Sequence, residues 1–366
     1  MKKPYFFLAA VILAGALLRI YQFTWQCQMV DEQFTASYIT NSVSYIVQNS
    51  LAADFNPPTY YLCAKLSAFI HGGIDNFSIR LPALIFGILA IPAAYLAGKE
   101  LKNNTLGILT AIVVAIDYPL IYYSQNARPY SMVLLFFTLF IWMFIRIYTG
   151  KDKSNTSIII LGILAAACLW SHYFSAVPLA VAFILLAKKN RHIAISSTID
   201  AGIFILPMAL MFGLNQFGER IVKQSTGLEI SWYQMITYIP NELFCWMWIV
   251  ILPLVAYAYH QKKDTAIRPL VWIEVSAPIC LVASTFLTGW LMPRYTVLVA
   301  PLLIITAMYP IADYLDTLPQ TKKLALMLLI IFGLFAMNIM SLYSLWTWSW
   351  CPAMHLPIPE RGMLWI

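Results

Sequence analysis

Apolar runs of about 15 to 22 residues recur from one end of the chain to the other, each long enough for a helix that crosses a bilayer. A transmembrane barrel would alternate apolar and polar positions in segments of about ten residues, which is a different pattern. Short basic stretches punctuate the runs: Lys2-Lys3, Lys99 with Lys102, Lys151 with Lys153, Lys188 to Arg191, Lys262-Lys263 and Lys322-Lys323. Lys and Arg accumulate in cytoplasmic loops, so these stretches mark inside loops, with an even number of crossings between neighbours. The crossings then fall at Tyr5–Phe23, Leu81–Ala97, Leu106–Tyr123, Tyr130–Tyr148, Ile158–Ser171, Phe174–Ala187, Ile193–Phe212, Leu243–Tyr259, Pro269–Leu287, Thr296–Tyr314 and Leu324–Leu345. The pattern predicts an all-α polytopic membrane protein of about eleven transmembrane helices, with a cytoplasmic N-terminus and an outside C-terminus.

The first interval is the informative one. Tyr5–Phe23 leaves the cytoplasm and Leu81–Ala97 returns, so Pro57–Ile70 cannot be a crossing. At about fourteen residues it is also too short for one, and suits a re-entrant or interfacial helix. Residues 24–80 therefore form a large first outside loop. Within it, Phe34, Tyr38, Ile39, Val43, Ile46 and Val47 follow helical spacing, which predicts an amphipathic helix lying in the interface. Residues 213–240 make a second outside loop, and 346–366 an aromatic-rich outside tail. The remainder, 1–345, reads as a single transmembrane domain without internal repeats.

Composition agrees with this picture. Of 366 residues, 61% are hydrophobic and 11% charged, with a mean hydropathy of +0.74. A soluble domain carries about a quarter charged residues. The net charge of +7 follows from positive-inside loops and gives no reason to expect a nucleic-acid partner. The six cysteines are scattered with no C-x-x-C spacing, so neither a zinc site nor a disulfide framework is implied.

Topology sorts the polar residues. Asp31, Glu32, Asp54, Arg80, Asp117, Arg128, His172 and Arg294 all lie at outside ends of helices or in outside loops. Ionisable groups at such depth are costly and usually face a cavity or a partner. Carboxylates beside several cations suit a reaction in which a phosphate leaves and an acceptor hydroxyl loses a proton. Each residue also has a plainer reading. Asp31 can N-cap the helix after it, with Glu32 in the first turn; Arg80 and Arg128 can snorkel to the interface; His172 can be an ordinary buried histidine. Asp117 stands near the outer end of its helix, where one of the arginines can pair with it.

The order of these motifs resembles a known family. Val30-Asp31-Glu32 follows the first helix, and Asn56-Pro57-Pro58-Thr59-Tyr60-Tyr61 comes next. Ser78-Ile79-Arg80-Leu81-Pro82-Ala83 opens a helix, then come Tyr122 to Ser131 around Asn126-Ala127-Arg128-Pro129-Tyr130, His172-Tyr173-Phe174, and Pro293-Arg294-Tyr295. Together they resemble the GT-C glycosyltransferases of the protein-O-mannosyltransferase and aminoarabinose-transferase superfamily, most of all its lipopolysaccharide galacturonosyltransferase branch. The likeness is densest over residues 1 to about 190. It implies a GT-C bundle in the plasma membrane that moves a sugar from a polyprenyl-phosphate donor to an acceptor hydroxyl on the outer face, with inversion. It further implies Asp31 as the catalytic carboxylate with Glu32 supporting it, Arg128, His172 and Arg294 around the carrier phosphate, and Asn56, Tyr60 and Tyr130 among the substrate contacts. Arg80 takes a structural role. The partners are then the lipid-linked donor, membrane lipids and an acceptor of unspecified kind. No cofactor is required. Two departures stand out: Asn56 replaces the family's histidine before Pro-Pro, and no second aspartate lies near Arg128 to Ser131, so a divalent cation between two carboxylates is not supported. A transporter or flippase, or a non-catalytic scaffold subunit of the same fold, are the alternative readings.

Overall fold

The computed structural model describes residues 4–53, 56–215, 239–261, 266–288 and 292–347, and these are helical with short connections. The helices are α1 (Pro4–Ile20), α2 (Val30–Thr40), α3 (Val43–Ala53), α4 (Thr59–His71), α5 (Asn76–Leu101), α6 (Asn104–Ile116), α7 (Tyr118–Ser124), α8 (Tyr130–Tyr148), α9 (Asn155–Ser171), α10 (Ala176–Lys189), α11 (Arg191–Asn215), α12 (Trp248–Gln261), α13 (Ile267–Thr288), α14 (Ala300–Asp316) and α15 (Gln320–Thr347). A 3-10 turn, Pro293–Val299, leads into α14. The segments marked by the sequence fall mostly in helix, but Tyr5–Phe23 runs past the end of α1 at Ile20 and Leu106–Tyr123 is interrupted at Asp117. Among the described residues six helices have the length and hydropathy to cross a membrane unaided, and α6 with α7 makes a seventh span bent by 63°. The expected loop at 213–240, the tail at 346–366 and Asp54 fall largely or wholly outside the described residues.

The bundle is built on α5, which packs against α1, α4, α6, α7 and α8. Side chains turned inward from α5, α6 and α8, such as Ala94, Ile108 and Phe140, are fully buried, while Leu13, Ile203, Leu329 and Phe332 stay exposed on the outer helices. Apolar residues on both sides of the helices are what an integral membrane bundle requires, since its surface is solvated by lipid.

Two expectations change in detail. The run predicted as one continuous span over Leu106–Tyr123 is broken at Asp117, whose extended backbone (ψ 122°) ends α6 and starts α7, with Pro119 in the new first turn. Gly87 lets α7 lie close on α5: a Cβ there would stand 2.0 Å from Ser124 Oγ. The amphipathic helix expected across 34–47 is two helices. It stops at Asn41, and Ser42 Oγ accepts from the Tyr45 N–H to start the next. Lys65 on α4 donates to the Ile39 and Asn41 carbonyls at 2.8 and 2.7 Å, meeting the freed end of α2 with a positive charge. Consequently Ile39 and Ile46 are buried while Phe34 and Val43 are exposed. The α4 helix, 13 residues or about 20 Å long, is too short to span a hydrocarbon core of about 30 Å.

Candidate active site

The acidic pair begins α2, and its two members meet opposite surroundings. Glu32 is 1% exposed and grips Arg80, also 1% exposed, through two parallel bonds of 2.7 Å. The same carboxylate accepts from the Ala127 N–H at 2.7 Å and the Met29 N–H at 3.1 Å. Arg80 completes its fork on the Phe23 and Cys27 carbonyls. Helix α2 thus starts with Met29, not Asp31, at the N-cap, and Glu32 reaches back to the Met29 N–H as half of a capping box. Arg80 does not snorkel. It is a buried rivet between α5, α2 and the loop after α1.

Asp31, one residue earlier, points the other way. Its carboxylate is 27% exposed and pairs with Arg294, 32% exposed, at 2.6 Å. Arg128, buried and not snorkelling, donates to the Asp31 carbonyl and to the Tyr61 hydroxyl, both at 3.2 Å. Thr35 Oγ1 donates to the Ala127 carbonyl at 2.8 Å, so the α2 start and the turn before α8 are fastened together. Chain segments about 100 and 260 residues apart therefore deliver one carboxylate and two guanidiniums to the same spot.

His172, in the turn between α9 and α10, lies beside this group. Its Nδ1 accepts from the Phe174 N–H at 3.2 Å, which leaves the proton on Nε2. That Nε2 is buried with no partner among the described residues. The ring sits between Tyr130 and Tyr295, with centroids 5.8 and 4.8 Å away. Burial first, then Arg128 and Arg294, push the imidazole pKa down to about 3. His172 is thus a neutral hydrogen-bond donor rather than a third cation.

A cleft of about 350 Å³ opens over Asp31 and Arg294. Tyr118, Tyr122, Tyr123 and Tyr130 form an aromatic wall, and Asn126, Asn241 and Glu242 supply polar groups. The Tyr123 hydroxyl donates to Glu242.

Of the residues expected at the site, Asp31, Arg128, Tyr130, His172 and Arg294 come together. Tyr60 is in the core beneath α5, its hydroxyl donating to the Ile79 carbonyl at 2.9 Å. Its neighbour Tyr61, a helical step of about 100° away, is the one that meets Arg128. Asn56 is buried before α4 and does not line the cleft. Asp117 forms no ion pair with Arg80, Arg128 or Arg294, which are engaged as described; the guanidinium near it belongs to Arg19 and is spent on the Gly15, Val114 and Ala115 carbonyls and Ser124 Oγ. The sequence reading missed Glu242 and Asn126. Asn126 lay inside a motif already noted, whereas Glu242 opens a hydrophobic run with no local signal. Among the described residues no three His, Cys, Asp or Glu side chains converge as a metal site.

The family model for dolichyl-phosphate-mannose-protein mannosyltransferases matches residues 56–214, under half of the chain. The protein superposes on ArnT from Cupriavidus metallidurans bound to undecaprenyl phosphate with a TM-score of 0.67 at 12% identity, covering 98% of this chain and 67% of that one. The chain has the GT-C fold. A second GT-C structure, the archaeal oligosaccharyltransferase AglB from Archaeoglobus fulgidus with an inhibitory peptide and a dolichol-phosphate, gives a TM-score of 0.62 at 12% identity, over 96% of this chain and 56% of that one. The chain thus spans about two thirds of ArnT and just over half of AglB. No curated protein sequence matches it.

Proposed function

We propose that this protein is an inverting glycosyltransferase that moves a sugar from a polyprenyl-phosphate donor to an acceptor hydroxyl. The observation that carries the reading is the partly exposed Asp31–Arg294 pair on a cleft wall, with Arg128 beside it, in a fold whose relative ArnT holds undecaprenyl phosphate. The donor phosphate competes with Asp31 for Arg294. When it wins, Asp31 is released as a free carboxylate next to the bond that must break. The acceptor oxygen then attacks the anomeric carbon, its proton passes to Asp31, and the bond from that carbon to the phosphate oxygen breaks. The leaving phosphate gains one negative charge in that step, which Arg294 and Arg128 are positioned to offset, with the His172 Nε2–H as a neutral donor.

The active site faces the outside of the plasma membrane in this reading, with the N-terminus inside. Supporting this, Asp31 and Arg80 lie toward the start of α5, while Lys99 and Lys102 mark its far end, the end that the positive-inside rule assigns to the cytoplasm. Residues 1–345 act as one domain. A transporter would hold its ionisable groups near the midplane of repeated halves, and nothing in the arrangement of Asp31, Arg128 and Arg294 favours that.

The test is sugar transfer by purified protein in lipid, from a panel of radiolabelled polyprenyl-phosphate sugars, with Asp31→Asn as control. Product from wild type and near-complete loss in the variant is the expected result. No product from any donor would remove the reading and leave a scaffold or transporter role.

A further inference from the structure

Resting on the reading above, and against the galacturonosyltransferase likeness of the motifs, we propose that the cleft selects a donor sugar without a carboxylate, a neutral or amino sugar, and that Glu242 is the residue that rejects a uronic acid. Only two bonds separate the donor's phosphorus from its anomeric carbon. A phosphate held by Arg294 and Arg128 therefore places the sugar ring in the cleft lined by Tyr122, Tyr123 and Tyr130. At about 350 Å³ the cleft falls at the lower end of ligand pockets, roomy enough for a single ring.

Besides Asp31, the charged acceptor that the walls offer that ring is Glu242, among tyrosine hydroxyls and the Asn241 amide. The Glu242 carboxylate lines the cleft with Tyr123 as its hydroxyl partner. Asn126, 7% exposed, lines the same cleft, and its Oδ1 is buried with no partner among the described residues. An orphaned buried acceptor costs free energy until a donor fills it. Sugar hydroxyls and ammonium groups are donors, whereas a carboxylate is acceptor-only. Charge points the same way. With Glu242 ionised and a phosphodiester bound, Asp31, Glu242 and the phosphate together exceed Arg128 and Arg294 by one negative charge. An amino sugar cancels that excess, a neutral sugar leaves it, and a uronate doubles it in a partly dry site.

Three donors on one polyprenyl phosphate decide the matter: hexosyl, aminohexosyl and uronosyl, each assayed with wild type, Glu242→Gln and Tyr123→Phe in lipid. Wild type is expected to use the hexosyl or aminohexosyl donor at least about 100-fold better, in kcat/KM, than the uronosyl donor. Glu242→Gln is expected to narrow that ratio by about tenfold or more, by removing the repelling charge and supplying an NH₂ donor. Tyr123→Phe keeps the carboxylate, so it keeps the preference against uronate, and an unchanged melting temperature in both variants excludes misfolding as the cause. Wild type preferring the uronosyl donor, or a ratio that Glu242→Gln does not move, would overturn the assignment while leaving glycosyl transfer intact. No transfer from any of the three would remove both this inference and the function it rests on.

Discussion

The two ends of the bundle treat their charges in opposite ways. At the end of α5 away from Asp31, Asp316 and Glu100 are each tied down by several donors. Asp316 accepts from Lys102, Asn103, Thr105 and Lys323 at 2.6 to 2.7 Å, and Lys102 also reaches Asp313. Glu100 holds Arg146 and Lys151, and Arg146 turns to Asp152. These contacts join α5, α6, α8, α14 and α15, and a cavity of about 310 Å³ at this end is lined by Asp313. At the other end Asp31 has a single ionic partner among the described residues, Arg294, and both are about a third exposed. His172 Nε2 and Asn126 Oδ1 have none among the described residues. A fold that satisfies one set of charges and leaves the other underused has reserved the second for something that is not protein. Within that second end, Glu32 belongs with the tied-down class: it braces α2 so that its neighbour Asp31 is held at the cleft.

The contrast yields predictions of decreasing size. Asp31→Asn should lower the transfer rate by about 10² to 10⁴-fold, the range of a lost general base, without shifting the melting temperature downward. Arg294→Ala should lower it by about 10² to 10³-fold, as expected for loss of a group that meets developing charge, and Arg294→Lys should recover part, since it keeps the charge and loses the fork. In Arg80→Met the deficit should appear in stability instead: stranding buried Glu32 costs about 3–5 kcal/mol, read by denaturation in detergent. Equal activity losses in Arg294→Ala and Asp316→Asn would erase the distinction between the ends.

Smaller effects concern pH. His172 has a folded pKa of about 3 against an ordinary 6.5, so the unfolded state binds more protons between those values. Stability should therefore fall as pH drops from 6.5 toward 3, and His172→Asn should flatten that slope. For the same reason no limb from His172 is expected in the activity profile between pH 5 and 8. Asp152, in the loop after α8, is held below the usual carboxylate range by the Ser154 N–H first and then the Ser157 hydroxyl. Its folded pKa is depressed, so wild type should melt slightly above Asp152→Asn at neutral pH. The gap should close as pH falls below 3.8, the ordinary value.

Much of this was legible in the chain. Long apolar runs and basic punctuation located the helices, and the shortness of Pro57–Ile70 kept α4 out of the crossings. Motif order brought Asp31, Arg128, Tyr130, His172 and Arg294 onto one page, and the fold puts them in one place. Hydropathy, however, is blind to direction. Leu106–Tyr123 stays apolar straight through Asp117, so the 63° bend hides in the sum, although Asp117-Tyr118-Pro119 does carry a helix-start signature. Tyr60 and Tyr61 are chemically identical in sequence and diverge only because α4 turns about 100° per residue. Glu242 meets Tyr123 from 119 residues away, and no local pattern encodes a contact of that span.

The most direct test of the account is to measure, on one preparation of Asp31→Asn in lipid, both sugar transfer and the affinity for polyprenyl phosphate alone. If Asp31 is the base and also the phosphate's competitor for Arg294, transfer is lost while binding is retained or tightened. Transfer near the wild-type rate would contradict the account, and so would binding that collapses together with the activity.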